Sequence, residues 1–392
     1  MILDIVEEQL DDAGFLFERR EGAFGTLDWC GTDLAKLDER LRASLAGLSV
    51  DPGLAWELAR EFLSESPGGA FVATMLALEL GRGEALREVE AAVMDAVPEV
   101  ASGVSGACCL SESTMAVNHL QRWARHSDSK LRAVALEGLA FRRINAGSLI
   151  EEALASSCTT LRAVGLRAAG CMRSSALRAR IEESAGLDDP ELQAAALESI
   201  VLVEPHGARQ RCLSALRAGG AASNSAVKLL GVLGSEEDTD TLEQLVEAED
   251  RDLARAAILA LGDLGYAESV TRLVSHLDSE ELSGVAGVAM QRIVGEDCPW
   301  EEFESVAVKD GNEDTPWSPD DDLPEYSKPR ITDWWKDNRE RFPADARLRR
   351  AQLFRAMPPQ PTTPLALVEH EALEYALANP GEPLPEPRTW SR

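Results

Sequence analysis

One nine-residue phrase recurs along the middle of the chain, and a fixed recurrence restricts the possible folds more than composition does. Four copies align without gaps, at 131–139, 161–169, 192–200 and 253–261, and a weaker fifth occupies 225–233. Their starts are spaced by 30, 31, 33 and 28 residues. The fifth position is small in every clear copy (Ala135, Gly165, Ala196, Ala257), and the sixth is Leu or Ile. Residues one, five and nine of such a phrase share one side of a helix. A small residue in mid-stripe lets a neighbouring helix come close, while bulky residues on either side fill the groove. Asp128, Asp189 and Asp250 stand three residues before the first Leu in three copies. An Asp there can accept hydrogen bonds from the N–H groups that open a helix. Pro190 suits the first turn, where no N–H is needed.

Shorter amphipathic segments lie between these helices, at 148–155, 176–184, 241–248 and 269–277. In the last, Val270, Leu273, Val274 and Leu277 form a single apolar stripe with the spacing of a helix face. Each repeat is therefore two helices. One such hairpin cannot bury its apolar faces alone, and stacking several makes a continuous core. The expected fold is all-α, an α-solenoid of helical hairpins of about 30 residues. The phrase of Asp, then Leu-Arg, then Ala-Leu, with a closing Gly (Gly170, Gly234, Gly262), resembles the short HEAT repeats of many bacterial proteins across 126–295.

The flanks are less regular. Residues 1–125 read as helical, with helices at 2–19, 32–46, 51–64, 68–80, 84–97 and 113–125, punctuated by Gly81, Gly83 and Pro98. They are expected to be diverged or capping repeats, or else a separate helical domain. Residues 296–327 form an acidic, Pro-containing linker, in which 296–325 holds twelve acids against Lys309. Residues 328–392 follow as an irregular Trp/Pro-rich region whose stretch 328–355 is basic, with nine cationic and four acidic residues. Within it, 332–342 reads as a short helix with Asp333 near its start and Pro343 after it, and a second helix spans 364–378. Five of the eight Trp (300, 317, 334, 335, 390) fall in this last quarter. Such aromatic density is rare in disordered tails, so the region is expected to fold back onto the repeats. The candidate contact residues are Trp334, Trp335, Arg339, Arg341 and Phe342, read as a clamp for the tail or as a partner site.

The 68 acidic against 39 basic residues give a net charge of −29. Binding to nucleic acid or anionic lipid depends on Lys and Arg displacing counterions, so neither partner is expected. The longest apolar run, 70–78, is broken by Thr74 and is far shorter than a membrane span. No cationic segment followed by an apolar stretch is visible at the start, and the seven cysteines are scattered without a C-x-x-C pair. A cytoplasmic location is expected.

The motifs of common chemistries are missing. There is no phosphate-cradling G-x-x-x-x-G-K, no G-x-S-x-G elbow, and no paired His or Cys with zinc spacing. Asp310, Asn312 and Asp314 hold the first three oxygen positions of a calcium loop, but Thr315 stands where that loop needs Gly and Pro316 follows. That stretch reads as solvated linker, and Glu369-His370-Glu371 reads as a solvated helix surface. No catalytic residue, cofactor or metal is expected. The acid runs 236–238 and 247–252 are hydrophilic turn faces or the lining of a groove for a basic partner.

The expected function is that of a protein-binding scaffold or adaptor, by analogy with other helical solenoids. The order of parts, the W-W-x-x-x-R-x-R-F-P element at 334–343 and the tail N-P-G-E-P-L-P at 379–385 resemble a proteobacterial HEAT-repeat family often encoded near type VI secretion genes. That resemblance implies an accessory protein that holds a secreted effector or spike component before export. An immunity protein neutralising a basic toxin is the alternative, and a HEAT-like lyase or glycosylase is the remaining one.

Overall fold

The computed structural model describes residues 2–95, 98–220, 222–279, 281–295, 298–299, 320, 323–324 and 326–391. The chain forms two compact units, one of Met1–Phe24, Gly31–Val203 and Glu386–Arg392, the other of Gly25–Cys30 and Glu204–Pro385.

Unit 1 opens with the antiparallel pair α1 (Ile2–Ala23) and α2 (Gly31–Leu48). Five hairpins follow: α3 (Pro52–Phe62) with α4 (Pro67–Leu80), α5 (Gly83–Asp95) with α6 (Pro98–Leu110), α7 (Thr114–Trp123) with α8 (Ser129–Phe141), α9 (Ser148–Leu154) with α10 (Thr159–Cys171), and α11 (Arg178–Ala185) with α12 (Pro190–Val203). The second helix of each hairpin packs on the second helix of the next, making an inner ladder α4–α6–α8–α10–α12. Burial follows position. α4 is buried from Ala70 to Leu78 except at Met75, whereas α3 buries only Ala55, Trp56 and Ala59.

Helix starts are written in side chains. Asp128 Oδ1 accepts from the backbone N–H groups of Lys130 (2.9 Å) and Leu131 (3.1 Å), and Asp189 Oδ1 from that of Leu192 (3.0 Å). Asp250 Oδ1 accepts from the Leu253 N–H at 3.1 Å. All three repeat aspartates therefore cap their helices as the sequence suggests. Replacing Asp128 by Ala should lower stability by about 1 kcal/mol, the usual worth of such a cap. Urea melts of the two chains would show it, and coincident midpoints would refute the assignment.

Two expectations require correction. Pro98 does not merely interrupt the chain. It opens α6, a helix missing from the sequence reading, because a first-turn proline lacks only an N–H that would have no partner there. Gly170 and Gly262 do not close their helices but lie inside them. A Cβ on Gly170 would stand 2.9 Å from Ser199 Cα, and one on Gly262 2.9 Å from Ala289 Cα. Both glycines permit ladder helices to touch.

Unit 2 continues the same plan with α13 (Ala208–Ala218) and α14 (Ser223–Leu233), α15 (Thr239–Val246) and α16 (Arg251–Leu264), and α17 (Glu268–Ser275) and α18 (Ser283–Val294). Its ladder is α14–α16–α18. α19 (Lys328–Asn338) packs on α17, a hairpin of β1 (Leu348–Arg349) and β2 (Gln352–Leu353) sits on α18, and α20 (Val368–Ala378) lies on α14. α19 begins four residues before the expected helix, with Pro329 in its first turn. The turn of the β-hairpin holds Arg350 and Ala351 at φ 52° and 63°, a conformation usually left to Gly or Asn. Their N–H groups donate to Arg292 O and Ile293 O, 2.8 Å each, so the turn satisfies carbonyls at the end of α18. Residues 25–30 complete the unit: Leu365 N donates to Trp29 O (2.8 Å) and Ala366 N to Thr26 O (3.0 Å). Trp300, Trp317 and the stretch 310–316 lie outside the described residues.

Candidate functional site

Unit 2 carries a groove of about 550 Å³ between the outer helices α15 and α17. Glu236, Thr239, Asp240 and Glu243 line one wall, and Glu268, Thr271, Arg272 and Ser275 line the other. Each set is spaced i, i+3, i+4, i+7, one continuous helix face. The opposite faces are apolar and buried, at Leu242 and Val246 on α15 and at Val270, Leu273 and Val274 on α17. Amphipathicity therefore turns the polar stripes of two neighbouring helices outward side by side.

The electrostatics of the groove are one-sided. Glu236, Asp240, Glu243 and Glu268 make no ion pair among the described residues, and the single guanidinium, Arg272, is drawn to Glu247 Oε1 at 3.0 Å. Burial pushes the Glu243 carboxyl above its ordinary range, opposed by Arg272. Thr239 is more than nine-tenths buried and its hydroxyl has no hydrogen-bond partner among the described residues. Of the acid run 236–238, Asp238 is not part of the lining. It turns inward and takes both Arg209 Nε (2.7 Å) and Nη2 (2.8 Å).

The tryptophan cluster borders this groove. Trp335 is buried and its Nε1 donates to Thr271 Oγ1 at 3.1 Å, so α19 is fastened to a wall residue. Trp335 and Phe342 rings lie 5.5 Å apart, with Trp334 at 6.3 and 6.0 Å from them. Trp334 is half-buried and Arg339 and Arg341 are exposed. Arg341 stays close, 5.9 Å from the Phe342 ring, and donates to Asn338 Oδ1 at 2.9 Å. The rings are thus brought together with Arg341, and Arg339 stands outside them.

A second cluster was invisible in the sequence. Asp263, wholly buried on α16, takes Arg292 Nε on Oδ1 (2.5 Å) and faces His370 Nδ1 with Oδ2 (2.6 Å). Arg349 Nη1 also reaches Asp263 Oδ1 at 3.3 Å, and its Nη2 donates to Glu374 Oε1 at 2.7 Å. Arg292 Nη1 donates to Glu371 Oε1 (3.0 Å), whose other oxygen accepts from Thr363 Oγ1 (2.6 Å). Burial alone would raise the Asp263 carboxyl, but Arg292 and His370 outweigh it and hold it well below the ordinary range. Glu374 shifts the other way, pushed up by burial. Of the 369–371 stretch, Glu369 is exposed as expected, but Glu371 is buried and His370 is engaged. An Asp–His pair recurs in hydrolases, but there the carboxylate orients the imidazole beside a nucleophile. Here two guanidiniums already share Asp263, and the Thr363 hydroxyl is committed to Glu371, so the cluster acts as a fastening for α20.

Stacked hairpins with an inner ladder in each unit define an α-solenoid. Residues 220–292, which contain α14 to α17 and most of α18, match the family of HEAT repeats. No curated protein matches the chain. No helix among the described residues is long and apolar enough to cross a membrane.

Proposed function

We propose that the protein is a non-catalytic scaffold that holds a basic protein partner along the α15–α17 groove. The observation that supports this is the pairing of two acidic helix faces, four carboxylates without ion-pair partners among the described residues against one guanidinium, in an open groove. Charge complementarity of this kind steers encounter and fixes register more than it adds affinity. The resemblance of the layout to a family near type VI secretion genes narrows the partner to a secreted effector or spike component. The acidic groove suits an immunity protein for a basic toxin as well. Co-expression separates the two: rescue from toxicity indicates immunity, and solubilised cargo without rescue indicates a holding role.

A lysine- and arginine-rich peptide, followed by fluorescence anisotropy, tests the groove. Binding should weaken steeply as salt rises. It should drop about tenfold or more in the variant Glu236→Lys/Asp240→Lys/Glu243→Lys, given roughly 0.2–1 kcal/mol per exposed pair and the added repulsion. Equal affinity for both chains would remove the groove from consideration.

A further inference from the structure

Residues 386–391 are held on unit 1 by groups that read a peptide. Arg20 on α1 and Asp38 on α2 are both wholly buried and are joined by Arg20 Nε and Asp38 Oδ1 at 2.8 Å. Arg20 Nη1 donates to Glu21 Oε1 at 3.2 Å, and Arg20 Nη2 and Asp38 Oδ2 meet the 386–391 backbone. Arg20 Nη2 donates to Arg388 O (2.8 Å) and Thr389 O (3.1 Å), and Asp38 Oδ2 accepts from Ser391 N (2.8 Å). Arg42 Nη1 donates to Ser391 O at 3.2 Å.

Side chains are read beside the backbone. The Trp390 ring lies under two guanidiniums, 4.7 Å from Arg42 and 5.5 Å from Arg20, and its Nε1 donates to Leu110 O at 2.7 Å. The Arg388 guanidinium stacks 5.0 Å from the Phe24 ring and approaches Glu21 Oε2 at 3.6 Å. Glu386 pairs with Arg143 Nη2 at 3.3 Å.

Burying a charge pair is costly, and the cost is offset only when the remaining donors and acceptors are also satisfied. Without residues 388–391, Arg20 Nη2 and Asp38 Oδ2 lose the partners just described. The pair is therefore organised to meet a peptide backbone, which is the same for any sequence. Selection falls to an indole over cationic groups and to a guanidinium over an aromatic ring two residues earlier. We propose that α1 and α2 form a peptide-recognition site for segments bearing Arg-x-Trp. Residues 386–391 occupy it as a self-ligand, and a partner protein carrying the same element takes their place. This site is independent of the acidic groove in unit 2, and either can fail without the other.

A tethered segment competes at an effective concentration on the order of millimolar. A free peptide should therefore bind the intact chain weakly and a chain with a loosened tail much better. The probe is a fluorescein-labelled peptide of residues 386–392, titrated into the full-length chain and into full-length Trp390→Ala. The variant should bind it saturably and at least about tenfold more tightly than the native chain, and the peptide carrying Trp390→Ala should not bind. Equal affinity for both chains, or no binding by a variant that melts like the native protein, would overturn the proposal. If Trp390→Ala does not fold, hydrogen exchange on the native chain decides. Excess unlabelled peptide should speed exchange of the Ser391 amide that donates to Asp38, and unchanged exchange at every peptide concentration would refute the site.

Discussion

Replacing Asp263 by Ala should lower the stability of unit 2 by about 3–5 kcal/mol, the range for removing one partner of a buried charge pair. The carboxylate is shared by Arg292, Arg349 and His370, and Arg292 is itself almost wholly buried. Removing it leaves two guanidiniums at low dielectric with only Glu371 and Glu374 to offset them. Urea denaturation of unit 2 reads the loss, and a change below about 1 kcal/mol would contradict the assigned role. The same group sets an acid limit. Its pKa is depressed in the folded state, so its contribution is complete above the ordinary aspartate value near 4 and is lost as pH falls below that toward the depressed value. Glu374, raised by burial, works in the opposite sense: its protonated form suits the fold, so acidification through its raised pKa is favourable there. The acid melt of Asp263→Ala should accordingly be shallower below pH 4 than that of the native protein.

The second large effect belongs to Trp335. Its ring is buried against α17 and Phe342, and Trp→Ala changes at such positions cost about 3–5 kcal/mol. Trp335→Ala should release α19 from α17 and lower the melting temperature, while Trp334→Ala, half-exposed, should do much less. Hydrogen exchange over 328–342 would locate the loosening. Unchanged protection in Trp335→Ala together with lost partner binding would make the cluster a contact surface instead of a clamp.

The repeat made the ladder legible because its chemistry is local. An Asp three residues before a Leu and a small residue four after it act within one helix and its neighbour, so Asp128, Ala135 and Gly165 could be read without a structure. Proline was harder, since Pro98 opens a helix and the same residue type elsewhere ends one. Part of the groove was visible as the acid run at 236–238, yet Glu243 and Glu268 acquire their meaning only when α15 and α17 lie side by side. The Asp263 cluster draws on residues from 263 to 374, and no spacing rule links them. His370 read as solvated because its own helix says so, while the carboxylate that engages it comes from α16. The Arg20–Asp38 site was unreadable for the same reason: its two helices are adjacent, but what they hold lies at 386–391.

Residues 25–30 belong to unit 2 through Thr26, Trp29 and the segment 364–366. On the ribosome this imposes a delay. At about 5–20 residues per second, the acceptors at Thr26 and Trp29 emerge some 15–70 s before the N–H groups that fill them. Thr26 and Leu27, buried in the finished fold, spend that interval without their final cover. The α1–α2 connection is therefore open to a chaperone over that interval, and slow translation ahead of residues 365 and 366 would prolong the exposure.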